Sequence, residues 1–561
     1  MHFDDLLKIL GELGRYQKIR LFLISMVSIV CAFHAFNMAF VGGKPSFKCT
    51  TPKVNLTGSV WENVTKNEFY SFLGNVSSNK KKRGCSIFNA EHTVALVENG
   101  NATFEELVHL GPNSPLPQVT CDDWEYSRAV YGPTIVSEFD LVCDRKWLTS
   151  MSKTLYFFGR LLGAVVFGQL SDIFGRKPMY FVGLLMLLIA GCVAAASPNI
   201  YVFLPFYILQ GAAQTGLFLV AFTMCTELVG PNYRVHAGFM IQGFYSIGFL
   251  SLSLIAYLIR DWRYIEVAIT VPVVLFAFYW CFLTESVRWL LSKNKIDEAR
   301  EIVKKVAEVN KVTVTDEMLA GLTDKRKDEA EDLNNKKYSI IDLFRTCKMA
   351  ILSFNVWFNW LVNALVYYGL SLGSDNLGGD PYINLFIAGA VEIPAYILCV
   401  LLLNKLGRKK PLCGTMIAGG IACIISGFLS KGELEPVKIT FAMIGKFMIT
   451  ISYAIIYLMA AEVFPTVVRN IGMGVSSMSA RIGGMLAPQI LELGNVWGPL
   501  TFLVFGGLAF AAGILALFLP ETAGKPLPQT IEDVLHPKKS LVTDVELSTE
   551  NGDLNEKEKR K

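Results

Sequence analysis

Apolar residues fill long stretches of about 20 positions, the length that crosses a bilayer as a helix, and polar residues gather between them. Such runs lie near 20–41, 147–171, 178–196, 200–226, 236–258, 263–283, 349–373, 382–403, 411–429, 437–460, 467–491 and 497–519. They predict an all-α polytopic membrane protein of twelve transmembrane helices. Gly, Ser and Ala recur inside the runs, as close helix packing in lipid requires. Alternating strand-like segments of about ten residues are absent, which argues against a membrane β-barrel. Ahead of the first run, "DDLLKILGELGRYQ" sets Leu6, Leu7, Leu10 and Leu13 at helical spacing. That pattern predicts an amphipathic helix lying on the inner membrane surface, in a cytosolic segment 1–19.

Composition agrees. Of 561 residues, 52% are hydrophobic and 18% charged, with mean hydropathy +0.41; an ordinary soluble chain has roughly 25% charged residues. The net charge of +4 gives no argument for nucleic acid. The first 20 residues are too charged for a signal peptide, so the N-terminus is expected to stay in the cytosol. Counting onward, Arg176, Lys177, Arg234, Lys405 to Lys410 and Arg469 fall in cytosolic connections, while 197–199, 374–381 and 492–496 carry no Lys or Arg. The connection 260–263 breaks this rule with Arg260 and Arg263.

The connection 42–146 holds Cys49, Cys85, Cys121 and Cys143 and four N-x-S/T acceptors, Asn55, Asn63, Asn75 and Asn101. Four acceptors in one loop and none elsewhere indicate an oxidising, glycosylated outer face. The other eight cysteines lie in or beside apolar runs and read as packing residues. The connection 285–347 is expected to be cytosolic and helical, and the charged tail 521–561 disordered.

Three motifs recur. "FGQLSDIFGRKPM" returns as "LLNKLGRKKPL", "TELVGPNYR" as "AEVFPTVVR", and "LTESVRWLL" as "LPETAGKPL". Arg176 and Arg408 stand 232 positions apart, Glu227 and Glu462 stand 235 apart, and Glu285 and Glu521 stand 236 apart. A common offset means an internal duplication. Six spans separate the copies, so the halves 20–284 and 348–520 form a parallel repeat with a substrate site expected between them near the midplane. Gly175 permits a tight turn. Asp172, Arg176, Glu227 and Arg234 predict an ion-pair gate at the cytosolic helix ends, repeated by Arg408, Glu462 and Arg469, with uncharged Asn404 in place of Asp172.

With these motifs the chain resembles the major facilitator superfamily. From residue 1 to about 535 it is similar to the organic cation, carnitine and organic anion transporters, nearest the insect-type cation carriers and the carnitine branch. "LGELGRYQ", "FGQLSDIFGRK", "RDWR", "ESVRWLL", "NLGGD", "VEIPAY", "AEVFPTVVRNIGMGVSSMSAR" and "LPETAGKPLP" carry the likeness. The resemblance implies disulfides Cys49–Cys121 and Cys85–Cys143. It places Glu392 in the cavity as a cation-attracting carboxylate. Arg481 stands where anion and carnitine carriers have arginine and cation carriers have aspartate; a guanidinium suits a carboxylate. Trp360, Tyr367, Tyr453, Tyr457, Phe218 and Phe222 match cavity aromatics that would hold an ammonium group, and Gln242 is a polar contact. Lys446 matches the carnitine branch. Arg160 stands where the family usually has a small apolar residue, and the sequence leaves open whether it enters the cavity. His34 reads as a packing residue.

The implied function is a plasma-membrane secondary transporter of small organic cations or zwitterions. The partners are the organic ion itself, the bilayer and a coupling ion, sodium or proton, with the carrier acting as a monomer. No nucleophile elbow, P-loop, zinc signature or dinucleotide fingerprint is present. An enzyme, a metal site and a cofactor are therefore not expected. An organic anion exchanger of the same family and a non-transporting solute receptor are the alternatives.

Overall fold

The computed structural model describes residues 3–51, 56, 61, 64–74, 84–99, 101–114, 116–315, 339–374, 377–429, 434–525 and 528–535. Twelve helical spans occupy the twelve apolar runs. The first six are α1 (Arg15–Phe36), α2 (Trp147–Phe174), α3 (Arg176–Ala196), α4 (Ile200–Leu228), α5 (Arg234–Ile259) and α6 (Trp262–Thr270). The others are α7 (Cys347–Leu372), α8 (Pro381–Ala390 and Glu392–Leu406), α9 (Lys409–Phe428), α10 (Glu435–Val463), α11 (Arg469–Leu493) and α12 (Leu500–Ala516). Ten helical stretches among the described residues are long and apolar enough to cross a bilayer. Helix α11 is long but more polar, and α12 is apolar but has 17 residues.

Two spans are not continuous α-helices. Helix α6 tightens to a 3₁₀ form over Val271–Cys281, with Pro272 its second residue, and α8 breaks at Val391, three residues before Pro394. A proline removes one backbone donor and crowds the carbonyl four residues earlier. Both interruptions follow from that.

The halves meet along α2 with α11 and along α5 with α8. The repeat exchanges these two seams, since each joins the second or eighth span to the fifth or eleventh. Within the halves, glycines let backbones touch. A Cβ on Gly420 would lie 2.7 Å from the Gly506 carbonyl, and one on Gly506 would lie 2.6 Å from that of Gly420. Gly159 and Gly211 likewise bring α2 against α4.

The connection after α1 folds on itself. Strand β1 (Phe47–Cys49) pairs antiparallel with β4 (Trp124–Tyr126), and β2 (Ser86–Phe88) with β3 (Gln118–Thr120). Trp61, Phe69, Phe72, Phe88 and Leu107 make a separate small core. Disulfides join Cys49 to Cys121 and Cys85 to Cys143, with Cα atoms 5.8 and 5.6 Å apart. Asn101 is exposed; Asn55, Asn63 and Asn75 lie outside the described residues. This end of the bundle is called the disulfide end below, and the opposite one the basic-motif end.

Arg263, an exception to the charge rule, has a partner here. It meets Glu138 at 2.5 Å and donates to the carbonyls of Ala195 and Ser197 at 2.5 and 2.7 Å. It ties the start of α6 to the end of α3 and to the disulfide-bearing connection.

Two expectations are corrected. The leucine face of the N-terminal helix Phe3–Leu10 does not lie bare for a membrane: Leu6 and Leu10 pack with Val303, Val306 and Ala307 of the helix Ile296–Asn310. Asn310 fixes the contact, donating to the Leu10 carbonyl and to Gln17 Oε1 at 2.9 Å each. An apolar stripe buries against whatever apolar surface is nearest, and here protein supplies it. The tail is also ordered at its start. Thr466 N donates to the Pro528 carbonyl at 3.0 Å, and Ile531 and Val534 pack on the core. Residues 536–561 lie outside the described residues.

Candidate functional site

The basic-motif end holds two copies of one construction. Arg176 meets Asp172 at 2.8 Å and Glu227 at 3.1 Å, while Glu285 accepts from the backbone N–H of Arg176 at 2.9 Å. In the second copy Arg408 meets Glu462 at 3.1 Å, and Glu521 accepts from the N–H groups of Arg408 and Lys409 at 3.0 and 3.1 Å. The carboxylates of the sixth and twelfth spans thus close the exposed N-termini of α3 and α9. Burial works against the Glu521 charge, but donors from Ala523, Arg408, Lys409 and Thr522 hold its carboxyl below the ordinary value. Gly175 and Gly407 take φ of 107° and 78° in the turns, as the tight-turn reading requires. In the second copy Asn404 stands in place of the aspartate, and Thr522 donates to Glu462 at 2.5 Å.

The expected gate differs in two respects. The ion pairs of Arg176 and Arg408 join helices of the same half, not one half to the other. Arg469 donates to its own Phe464 carbonyl at 3.1 Å and does not pair with Glu462. Glu227 and Arg234, like Glu462 and Arg469, stand seven apart; that shared spacing marks the repeat, while the arginine at the α3 or α9 start takes the carboxylate.

Several bonds between the halves lie at the disulfide end. Glu492 of α11 meets Lys44 at 2.9 Å and accepts from Ser150 at 2.5 Å. Lys146 donates to Asn495 at 3.2 Å, and Gln489 to Thr154 at 2.9 Å. Phe40 stacks on Tyr382 with ring centroids 5.0 Å apart. Sequence reading missed Glu492; an acid directly after an apolar run was the available signal.

Between the ends sits the candidate binding region. Glu392 is fully buried. It accepts from Tyr367 at 2.5 Å and from Ser246 at 3.0 Å, and Lys446 Nζ lies 3.1 Å from Oε1. Lys446 also donates to Ser371 at 2.6 Å. The carboxylate expected to meet a substrate cation therefore already has an internal one. The break at Val391 starts a new helical segment at Glu392, which turns the side chain toward α5, α7 and α10.

Arg481 differs. Its Nη1 donates to the Ser477 carbonyl at 2.7 Å and to the Ser477 hydroxyl, one turn back on its own helix. Its Nε is buried without a partner. Tyr453 and Tyr457 act on it electrostatically. Trp360 packs on Tyr457 at 4.8 Å and edge-on to Tyr453 at 6.2 Å, and Tyr367 lies 5.8 Å from Tyr453. Phe222 of the first half reaches Tyr457 at 6.5 Å, and Phe218 lies edge-on to Tyr245 at 5.7 Å. Seven predicted residues thus collect around one region: Arg481, Trp360, Tyr367, Tyr453, Tyr457, Phe218 and Phe222. Gln242 is half-buried on α5. Tyr245 and Tyr368, not singled out in sequence, belong to the same wall.

His34 is fully buried, with Nδ1 2.9 Å from Gln210 and 3.8 Å from Glu266. Glu266 also accepts from Asn37 at 2.8 Å. This polar knot ties α1, α4 and α6 together. Glu266 too was missed, although it is an acid inside an apolar run. Among the described residues no group of three or more His, Cys, Asp or Glu could hold a metal ion.

The profile of the family described as "Sugar (and other) transporter" matches residues 72–533. The "Organic cation transporter protein" of Drosophila melanogaster is 41% identical over 537 residues, covering 95% of this chain and 94% of its own. "Organic cation/carnitine transporter 2" of Rattus norvegicus is 36% identical over 541 residues, covering 96% and 94%. The inward open structure of the E. coli xylose transporter XylE superposes with TM-score 0.57 at 14% identity, over 93% of this chain and 100% of that one; it supports the fold alone.

Proposed function

Because the chain belongs to the sugar (and other) transporter family of the major facilitator superfamily, with organic cation and carnitine transporters as relatives, we propose that it carries small carboxylate-bearing zwitterions, of the carnitine type, by alternating access. The observation that carries this reading is Arg481. Its guanidinium keeps an unpartnered buried donor and interacts electrostatically with Tyr453 and Tyr457, on which Trp360 packs. A carboxylate fits the guanidinium fork. Aromatic faces attract an ammonium end, by about 2 kcal/mol or more when desolvated. Glu392 contributes through Tyr367, which it holds in place.

The carrier is proposed to reside in the plasma membrane as a monomer, with both termini cytosolic and the disulfide end outside, where Asn101 is open to glycosylation. The bonds between the halves at the disulfide end then support an inward-facing state. Domains run 20–284 and 348–520, as the repeat indicates.

A second reading, an organic anion carrier, is favoured by the Lys446–Glu392 pair, which leaves no free acid at the aromatic wall. Uptake of labelled carnitine, tetraethylammonium and para-aminohippurate into expressing cells, with and without sodium, separates the two and identifies the coupling ion. Saturable carnitine uptake with no para-aminohippurate uptake is expected. The reverse result replaces the first reading with the second, and no saturable flux of any solute would leave a receptor.

A further inference from the structure

The charges between the halves do not balance. Glu392 and Lys446 neutralise each other at 3.1 Å, and His34 and Glu266 lie 3.8 Å apart within the first half. Arg160 and Arg481 have no such carboxylate. Arg160 donates from Nε to Thr215 at 3.1 Å, and the Thr215 hydroxyl donates onward to Gln214 at 3.1 Å. Its Nη1 is buried and unpartnered. Its guanidinium carbon stands 5.2 Å from the Phe157 ring centroid and 5.0 Å from that of Tyr368. Tyr368 belongs to α7, so Arg160 reaches the seam between the halves.

Arg481 reaches the same seam from α11. The two guanidinium groups repel each other, and Tyr453 acts on both. Two forks, one from each half, thus stand on the packed pair α2 and α11, each with a buried N–H that has no partner among the described residues. A buried charge without a counter-charge is costly, and a like charge nearby raises that cost. A ligand with one carboxylate covers one fork. A ligand with two covers both and ties α2 to α11.

We infer that Arg160 is a second recognition residue, forming with Arg481 a two-guanidinium site for solutes that carry two carboxylates or comparable oxyanions. Trp360, Tyr453 and Tyr457 cover the rest of the solute, including an ammonium group where there is one. This rests on the reading of Arg481 as a carboxylate site and adds a second anionic position to it.

Two matched pairs of probes test the inference by isothermal titration calorimetry on the full chain in lipid nanodiscs: glutarylcarnitine against valerylcarnitine, and glutarate against valerate. The second carboxylate is expected to tighten binding roughly ten- to hundredfold, the scale of one charge-assisted contact. Arg160→Gln should bring the ratio to about one. Arg160→Lys, a point charge without the fork, should keep part of it, and serves if the glutamine variant does not fold. Equal binding within both pairs on the unaltered chain overturns the proposal whatever the variants do. So does a ratio that survives both substitutions. If the acylcarnitines fail to bind but glutarate exceeds valerate in an Arg160-dependent way, the Arg160 site stands and the zwitterion reading falls. If both acylcarnitines bind equally and glutarate shows no advantage, the zwitterion reading stands and the Arg160 site falls. Binding by none of the four overturns both.

Discussion

Lys446 and Arg481 are both cations inside helices of the second half, yet only the first has a carboxylate within 3.1 Å. Lys446, with Glu392, Tyr367 and Ser371, closes a network joining α7, α8 and α10. Arg481 is held only by its own helix. A charge with an internal partner serves the fold, and removing it leaves the partner stranded. A charge without one is free to be completed from outside. Residue type does not separate the two roles; the carboxylate does.

The largest effect is expected at the paired site. Lys446→Met strands a buried carboxylate and should cost about 3–5 kcal/mol of stability, seen as collapse of the monodisperse chromatographic peak and of surface expression. Lys446→Met with Glu392→Gln should recover most of it. A single variant as stable as the parent would erase the contrast with Arg481.

Arg481→Asp should leave expression near the parent level, because no carboxylate loses a partner. Carnitine-like uptake should fall by roughly a hundredfold, about 2.7 kcal/mol, while uptake of tetraethylammonium is kept or raised. Equal loss of both solutes, tracking surface-labelled protein, would put Arg481 in the same class as Lys446.

Glu492→Gln probes a half-buried pair between the halves. Losing its charge should shift the balance toward a form open at the disulfide end by about tenfold, near 1.4 kcal/mol. Distances between spin labels on α1 and α11 read this directly, and an unchanged distribution would remove Glu492 from the closure.

Asp172→Asn should do least. Its side chain is 71% exposed, and exposed ion pairs contribute about 0.2–1 kcal/mol. Turnover should change by less than about fivefold at equal surface level, with Glu227→Gln exceeding it because Glu227 is 18% exposed. An Asp172 effect as large as that of Glu492 would return the gate to the basic-motif end.

Helix number, the repeat and the turn glycines were legible because each rests on local pattern: apolar run length, motif offset, and the φ that glycine allows. The breaks in α6 and α8 were legible in principle from Pro272 and Pro394. Pairings were not. Lys446 and Glu392 stand 54 positions apart in the chain, and nothing in either neighbourhood records that α8 and α10 bring them together. Glu492 and Glu266 were missed because single acids near apolar runs pass for boundary residues until a partner is seen. The N-terminal leucine stripe was read correctly as apolar and wrongly as membrane-bound, since the pattern gives a face and not its partner.

The arrangement of the ion pairs at the basic-motif end also bears on energetics. Because Arg176 and Arg408 bind within their own halves, those bonds persist whichever way the carrier faces, and they cancel from the free-energy difference between its two orientations. That difference falls on the contacts that cross between the halves, those of Glu492, Gln489 and the Ser246–Glu392 bond among them. A solute then shifts the two populations only by as much as it prefers one orientation over the other.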